Sequence, residues 1–251
     1  MAEPNFTPGM FVWRELATAD VDRVRRFYGE LFGWSWKGES GGPSGTYWLA
    51  SRGERQVGGA FQKPPPMALP SFWSSYILVD SVDEATTRCR DAGGSVHRPP
   101  ADIPNVGRFA VLADRWGAVI QAFRPLPGES APPSRPEAGT FCWETLVTPE
   151  PSAAAAFYGK VYGLGTTKGP NGEATVLTAG AVQVADIQAT RPGAPSYWMT
   201  YVEVESAERS RDRAVQLGGK VLVPRIEVTG VGTVAAIADP TGAALGLFEP
   251  G

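Results

Sequence analysis

The chain repeats itself. Phe11-Val12-Trp13-Arg14-Glu15-Leu16, followed by Phe27-Tyr28-Gly29 and Gly33, returns as Phe141-Cys142-Trp143-Glu144-Thr145-Leu146, followed by Phe157-Tyr158-Gly159 and Gly163. Pro70-Ser71-Phe72-Trp73 returns as Pro195-Ser196-Tyr197-Trp198, and Gly93-Gly94 returns as Gly218-Gly219. Asp114-Arg115-Trp116-Gly117 returns as Asp239-Pro240-Thr241-Gly242. A duplication of this kind limits the fold to two similar units of ordinary domain size, which residue propensities alone would not do. The reading is an N-terminal domain over 1–125, a linker over 126–136 rich in proline, glycine and serine, and a C-terminal domain over 137–251.

Each copy divides again. Met10–Leu16 is a short apolar and aromatic run, so a strand. Val21, Val24, Phe27, Tyr28, Leu31 and Phe32 recur at three- and four-residue spacing, which gives one apolar helix face ended by Gly33. Short strands follow near Ser35–Lys37, Thr46–Ser51 and Gln56–Gln62. The same order returns from Phe72: a strand, a helix over Val82–Ala92, then strands near Val96–Arg98, Arg108–Ala113 and Val119–Phe123. The second copy runs the same course, so the chain reads as α+β with four βαβββ modules. Gly93-Gly94 and Gly218-Gly219 follow helices and are read as caps. His97, the single histidine, is read as an exposed loop residue between that glycine pair and Pro99-Pro100.

The remaining composition mostly excludes. A net charge of −3 gives no concentrated positive surface for nucleic acid, and Arg23, Arg25 and Arg26 read as a solvated helix face. No apolar run reaches the length that spans a bilayer, and the N-terminus lacks a leader pattern, so a cytoplasmic protein is expected. Cys89 and Cys142 are non-equivalent in the two copies and read as small buried thiols.

Four such modules, the Trp-x-x-Leu-x-Thr-x-Asp entry at Trp13–Asp20 and the Asp-Pro-x-Gly turn at Asp239–Gly242 resemble the vicinal oxygen chelate superfamily. This family includes glyoxalase I, extradiol dioxygenases and bleomycin resistance proteins. The resemblance implies two glyoxalase-like domains, each a curled sheet with helices on its convex face and a cup on the other. It also implies a divalent metal in each cup, with ligands at positions that count to Trp13, Ser74 and Gln121 in the first copy and to Trp143, Met199 and Gly246 in the second. A first-row metal needs imidazole, carboxylate or thiolate donors. These residues supply none, so the expectation is no metal and no cofactor.

Side chains alternate along a strand, so Trp13 and Glu15 share a face, with Ser74, Tyr76, Gln121 and Phe123 lining the same cup. The second cup would take Trp143, Thr145, Met199 and Tyr201, with Leu245 or Phe248 according to register. Such a lining suits a flat, largely apolar small molecule held by stacking and a few hydrogen bonds, although aromatics at period two also build ordinary cores. A carboxylate at Glu15 among aromatics would titrate high and suit acid–base work; a salt bridge to Arg108 or Arg124 is the structural alternative. Two functions follow from this lining. One is metal-free binding of an aromatic or polycyclic natural product. The other is a metal-independent cyclase, isomerase or lyase using Glu15, Tyr76 and Gln121. The partner is a small molecule, neither nucleic acid nor membrane, and the chain a monomer or homodimer.

Overall fold

The structure is a computed structural model that describes residues 7–43, 45–65, 67–126, 136–169, 172 and 174–251. The proposed linker falls almost entirely on residues 127–135, outside the described residues. The first copy runs β1 (Phe11–Thr18), α1 (Val21–Phe32), β2 (Ser35–Gly42), β3 (Gly45–Arg52), β4 (Arg55–Gln62), β5 (Phe72–Leu78), α2 (Val82–Asp91), β6 (Ser95–Ile103), β7 (Gly107–Ala113) and β8 (Val119–Pro125). The second runs β9 (Phe141–Thr148), α3 (Pro151–Tyr162), β10 (Gly165–Lys168), β11 (Thr175–Ala179), β12 (Val182–Ala189), β13 (Tyr197–Glu203), α4 (Ala207–Gln216), β14 (Lys220–Val228), β15 (Gly232–Ala238) and β16 (Ala244–Pro250). These are the four βαβββ modules of an α+β fold.

Each copy forms one eight-stranded mixed sheet, ordered β2-β3-β4-β1-β5-β8-β7-β6 and β10-β11-β12-β9-β13-β16-β15-β14. The β1–β4 and β5–β8 pairings are parallel, whereas the hairpin neighbours are antiparallel. Local chemistry sets the helices. Asp20 accepts from the Arg23 amide to start α1, and Gly33, at φ +71°, ends it. Ser81 and Ser206 cap α2 and α4 in the same manner. Pro151 opens α3 at a position where its missing N–H costs nothing.

By packing, the chain forms two compact units. One contains the described residues of 1–13, 75–134 and 144–198; the other contains those of 14–74, 135–143 and 199–251. The core of the first unites Val82 and Cys89 of α2 with Phe157 and Val161 of α3, over Ile77 and Leu146. The core of the second unites Val24 and Phe27 of α1 with Ala214 of α4, over Leu16 and Leu247. Each hydrophobic core therefore draws on both copies of the repeat.

The repeated landmarks explain how. In the first unit the Trp198 indole donates to the Tyr158 hydroxyl at 2.9 Å, and that hydroxyl donates to Asp114 Oδ2 at 3.2 Å. Asp114 Oδ1 accepts from the backbone of Trp116 and Ala118, both at 2.9 Å. In the second unit Trp73 donates to Tyr28 at 2.9 Å and Tyr28 to Asp239 at 3.1 Å. Asp239 Oδ1 also accepts from the amides of Thr241 and Ala243. The Pro-Ser-x-Trp, Phe-Tyr-Gly and Asp-x-x-Gly motifs are thus parts of one buried hydrogen-bond chain per unit, which satisfies polar groups that would otherwise be costly inside the core.

Several local expectations change. His97 lies in strand β6, not in a loop, although it is exposed. Strand β6 is the last of its sheet, so Pro99 and Pro100 are tolerated there, with the register shifting between Arg98 and Ala101. Arg25 is half-buried, its guanidinium 3.3 Å from the Trp48 ring centroid, so it packs on an indole instead of facing water. Cys89 is fully buried, and burial, with the nearby Asp114 charge, pushes its thiol up to about 11, which keeps it protonated and inert. Cys142 is only half-buried.

The two units also provide an internal control. Tyr162 stacks on Tyr158 with centroids 5.7 Å apart, as Phe32 stacks on Tyr28 at 5.9 Å. The Tyr162 hydroxyl is buried and has no hydrogen-bond partner among the described residues. Tyr162→Phe, which copies the sister position, is expected to stabilise the chain by about 1 kcal/mol, read as a rise of roughly 2–4 °C in Tm. A fall in Tm would mean that the hydroxyl is satisfied.

Candidate functional site

The sheet faces turned away from the helices carry the candidate residues, and alternation decides which these are. In the unit with α1 and α4, Leu16, Ala50 and Ala60 belong to the core, so Glu15, Leu49, Gly59 and Phe61 face the other way. In the unit with α2 and α3, Ile77, Leu112, Ile120 and Ala122 are core residues, leaving Tyr76, Phe109, Gln121 and Phe123 on the opposite face.

The latter four form a coherent patch. Tyr76 pairs in register with Gln121, and Phe109 with Phe123. The Tyr76 ring lies 5.8 Å from Phe123 in a T-shaped contact and 6.3 Å from Phe109. The Arg98 guanidinium sits 4.8 Å from the Phe109 centroid. Tyr76, Phe109 and Gln121 are buried and Phe123 is half-buried, so the patch is an aromatic cluster around a phenol and an amide, with Phe123 as its most exposed ring. Phe109 is a member that the sequence reading did not single out; its alternation with Ala110 and Leu112 along β7 was the available signal.

The same unit holds a polar patch from the second copy. Thr145, paired in register with Asp186, donates to its Oδ1 at 2.5 Å, and Gln188 donates to Oδ2 at 3.0 Å. Thr145 is buried, and Asp186 is the carboxylate that the candidate set omitted. Glu144, next to it in sequence, is fully buried on the core side and accepts from Ser75 at 3.0 Å.

In the other unit, Glu15 is half-buried and paired with Gly59. A Cβ at Gly59 would collide with the Tyr47 phenol, so that ring occupies the space over the glycine. Tyr201 is paired with Gly246 and behaves likewise, its ring filling the place of the missing side chain. Met199, Trp143 and Trp13 are half-buried, and Ser74 is buried. The arginines named as structural partners for Glu15 are engaged elsewhere: Arg108 with Asp83 and Asp102, both at 2.8 Å, and Arg124 with Asp80 at 3.8 Å.

The metal that the family resemblance implies does not suit these residues. Trp13, Ser74 and Gln121 offer an indole, a hydroxyl and an amide, and Trp143, Met199 and Gly246 an indole, a thioether and no side chain. Among the described residues no group of three or more His, Cys, Asp or Glu could hold a metal ion. Nor is any helix among them long and apolar enough to cross a membrane.

Residues 10–122 match the family model described as the Glyoxalase/Bleomycin resistance protein/Dioxygenase superfamily. The Mycobacterium tuberculosis protein named as a glyoxylase, CFP32, is 32% identical over 250 residues, covering 95% of this chain and 94% of its own. The anthracycline biosynthesis protein DnrV of Streptomyces peucetius is 30% identical over 265 residues, covering 97% and 94%. Among solved structures, the Mn(II)-bound glyoxalase of Novosphingobium aromaticivorans matches with a TM-score of 0.66 at 15% identity, covering 97% of this chain and 82% of that one. The 2,3-dioxygenase LapB of Pseudomonas sp. KL28 matches at 0.65 and 13% identity, covering 98% and 93%. At those identities the structural matches speak for the fold alone.

Proposed function

This chain belongs to the glyoxalase/bleomycin resistance protein/dioxygenase superfamily, and from that premise we propose that it is a metal-independent binding protein for an aromatic or polycyclic natural product. The observation that carries the reading is the clustering of Tyr76, Phe109 and Phe123 around Gln121 on the sheet face turned away from the helices, where three rings and one amide would meet a ligand that parts them. The donor set at the family's metal positions fits hydrogen bonding and stacking better than coordination. Relatives named for anthracycline biosynthesis favour the same ligand class, because anthracyclines are planar polycyclic aromatics. The other proposed ligand contacts are Trp13 and Thr145 in the unit that holds this patch and, separately, Ser74, Trp143, Met199 and Tyr201 in the other unit. The proposal keeps the domain division at the linker, a cytoplasmic setting and a monomer or homodimer.

Titration with 1,8-dihydroxyanthraquinone, followed by tryptophan fluorescence and by recovery of the compound, tests the reading. Micromolar binding with the compound recovered unchanged is the expected result, and Tyr76→Ala should weaken it about tenfold. Absence of saturable binding up to the solubility limit would sink the binding reading. The alternative is a metal-independent enzyme of secondary metabolism, a cyclase, isomerase or lyase, with Glu15 as acid or base. Chemically altered ligand would favour it, and Glu15→Gln should then abolish turnover while sparing binding.

A further inference from the structure

Gly59 gives its place on its sheet face to another side chain. It pairs directly with Glu15 across the parallel β1–β4 ladder. Tyr47, on β3, pairs with Phe61, two residues along β4 on the same face, and leans diagonally so that its phenol covers Gly59. The point where a Cβ would stand at Gly59 is overlapped by the hydroxyl and ring carbons of Tyr47. Neighbouring strands lie about 5 Å apart. The Tyr47 hydroxyl therefore stands about one strand spacing from the root of the Glu15 side chain, on the face that Leu16, Ala50 and Ala60 leave to solvent or ligand. Both residues are half-buried, so neither is sealed in the core.

The second copy shows that this arrangement is not required by the fold. There Thr145 replaces Glu15 and Asp186 stands in the place of Gly59, and the pair closes on itself through a 2.5 Å hydrogen bond. Each copy keeps one carboxylate at this register position, but from opposite strands, and only in the first does a glycine admit a phenol beside it. A carboxylate accepts and a phenol donates, so together they match a ligand oxygen that carries a proton and a lone pair.

We propose that Tyr47 is a ligand-binding residue whose hydroxyl, seated over Gly59, acts with Glu15 to hold a hydroxyl oxygen on an aromatic ring. The assignment rests on the binding function proposed above. The probes are 2-naphthol and 2-methylnaphthalene, which differ by a hydroxyl in place of a methyl, titrated calorimetrically into the full chain. Tyr47→Phe should weaken 2-naphthol about tenfold and leave 2-methylnaphthalene within about twofold. Gly59→Ala, which forces the ring aside, should give the same selective loss with a folded circular dichroism spectrum, and the double variant should be no worse than either alone. Equal weakening of both probes, or unchanged 2-naphthol binding, would overturn the assignment while leaving the binding function standing. Failure of the unsubstituted chain to bind either probe would remove both.

Discussion

Asp239→Ala is expected to lower the stability of the chain by about 3–4 kcal/mol, read as a loss of roughly 6–16 °C in Tm. The carboxylate accepts from the Tyr28 hydroxyl, the Thr241 hydroxyl and the amides of Thr241 and Ala243. Alanine leaves a buried phenol donor without its acceptor and opens the turn into β16. Asp239→Asn should cost less, about 1–2 kcal/mol, because an amide oxygen can still cap the turn. Its NH2 group would then face a hydroxyl that already accepts from Trp73. Equal losses for the two variants would show that charge, not hydrogen-bond direction, matters there.

Asp114 makes the same connections in its own unit and adds a pH dependence. Burial raises its pKa above 3.8, while the donors around it pull the other way. A carboxyl whose folded pKa lies above its unfolded value binds its proton more tightly when folded. Its contribution is therefore greatest at low pH and declines as pH rises from 3.8 through the folded value. The stability advantage of the unsubstituted chain over Asp114→Asn should accordingly be largest at acidic pH and narrow on the way to neutrality. A gap that widens with pH would reverse the assignment.

Gly94→Val is expected to be comparably damaging, by about 3 kcal/mol, whereas Gly93→Ala should cost about 1 kcal/mol. The two glycines look alike in sequence but do different work. Gly93 turns the chain at φ +82° with open space where a side chain would go. A Cβ at Gly94 would stand 2.6 Å from both the Ala113 carbonyl and Cys89 Sγ, and 2.9 Å from Phe157. The first is a backbone conformation and the second a packing contact. Thermal melts of the two variants separate them, and similar losses would contradict the distinction.

The fold was legible because its signals are local or repeated. The 3.6-residue pattern of Val24, Phe27 and Tyr28, the capping Asp20, the αL Gly33 and the alternation along β1 and β5 are all visible without tertiary information. The site was legible only by analogy of position. Parity along a strand puts Tyr76, Gln121 and Phe123 on one face, whereas the placement of Tyr47 over Gly59 depends on a diagonal across two strands. Asp186 was left outside the candidate set because its role comes from its register partner Thr145, which no periodicity announces.

The amino-acid sequence by itself determined four modules, their element order and the scarcity of metal ligands, since each follows from spacing and residue chemistry along the chain. Only the tertiary structure decided what the repeated tryptophan, tyrosine and aspartate are for. The tyrosine–aspartate bonds join residues 211 positions apart in one unit and 44 apart in the other, each across the two copies, while the tryptophan–tyrosine bonds stay within one copy. A buried donor takes whichever acceptor the packing brings to it, and packing is a property of the folded chain.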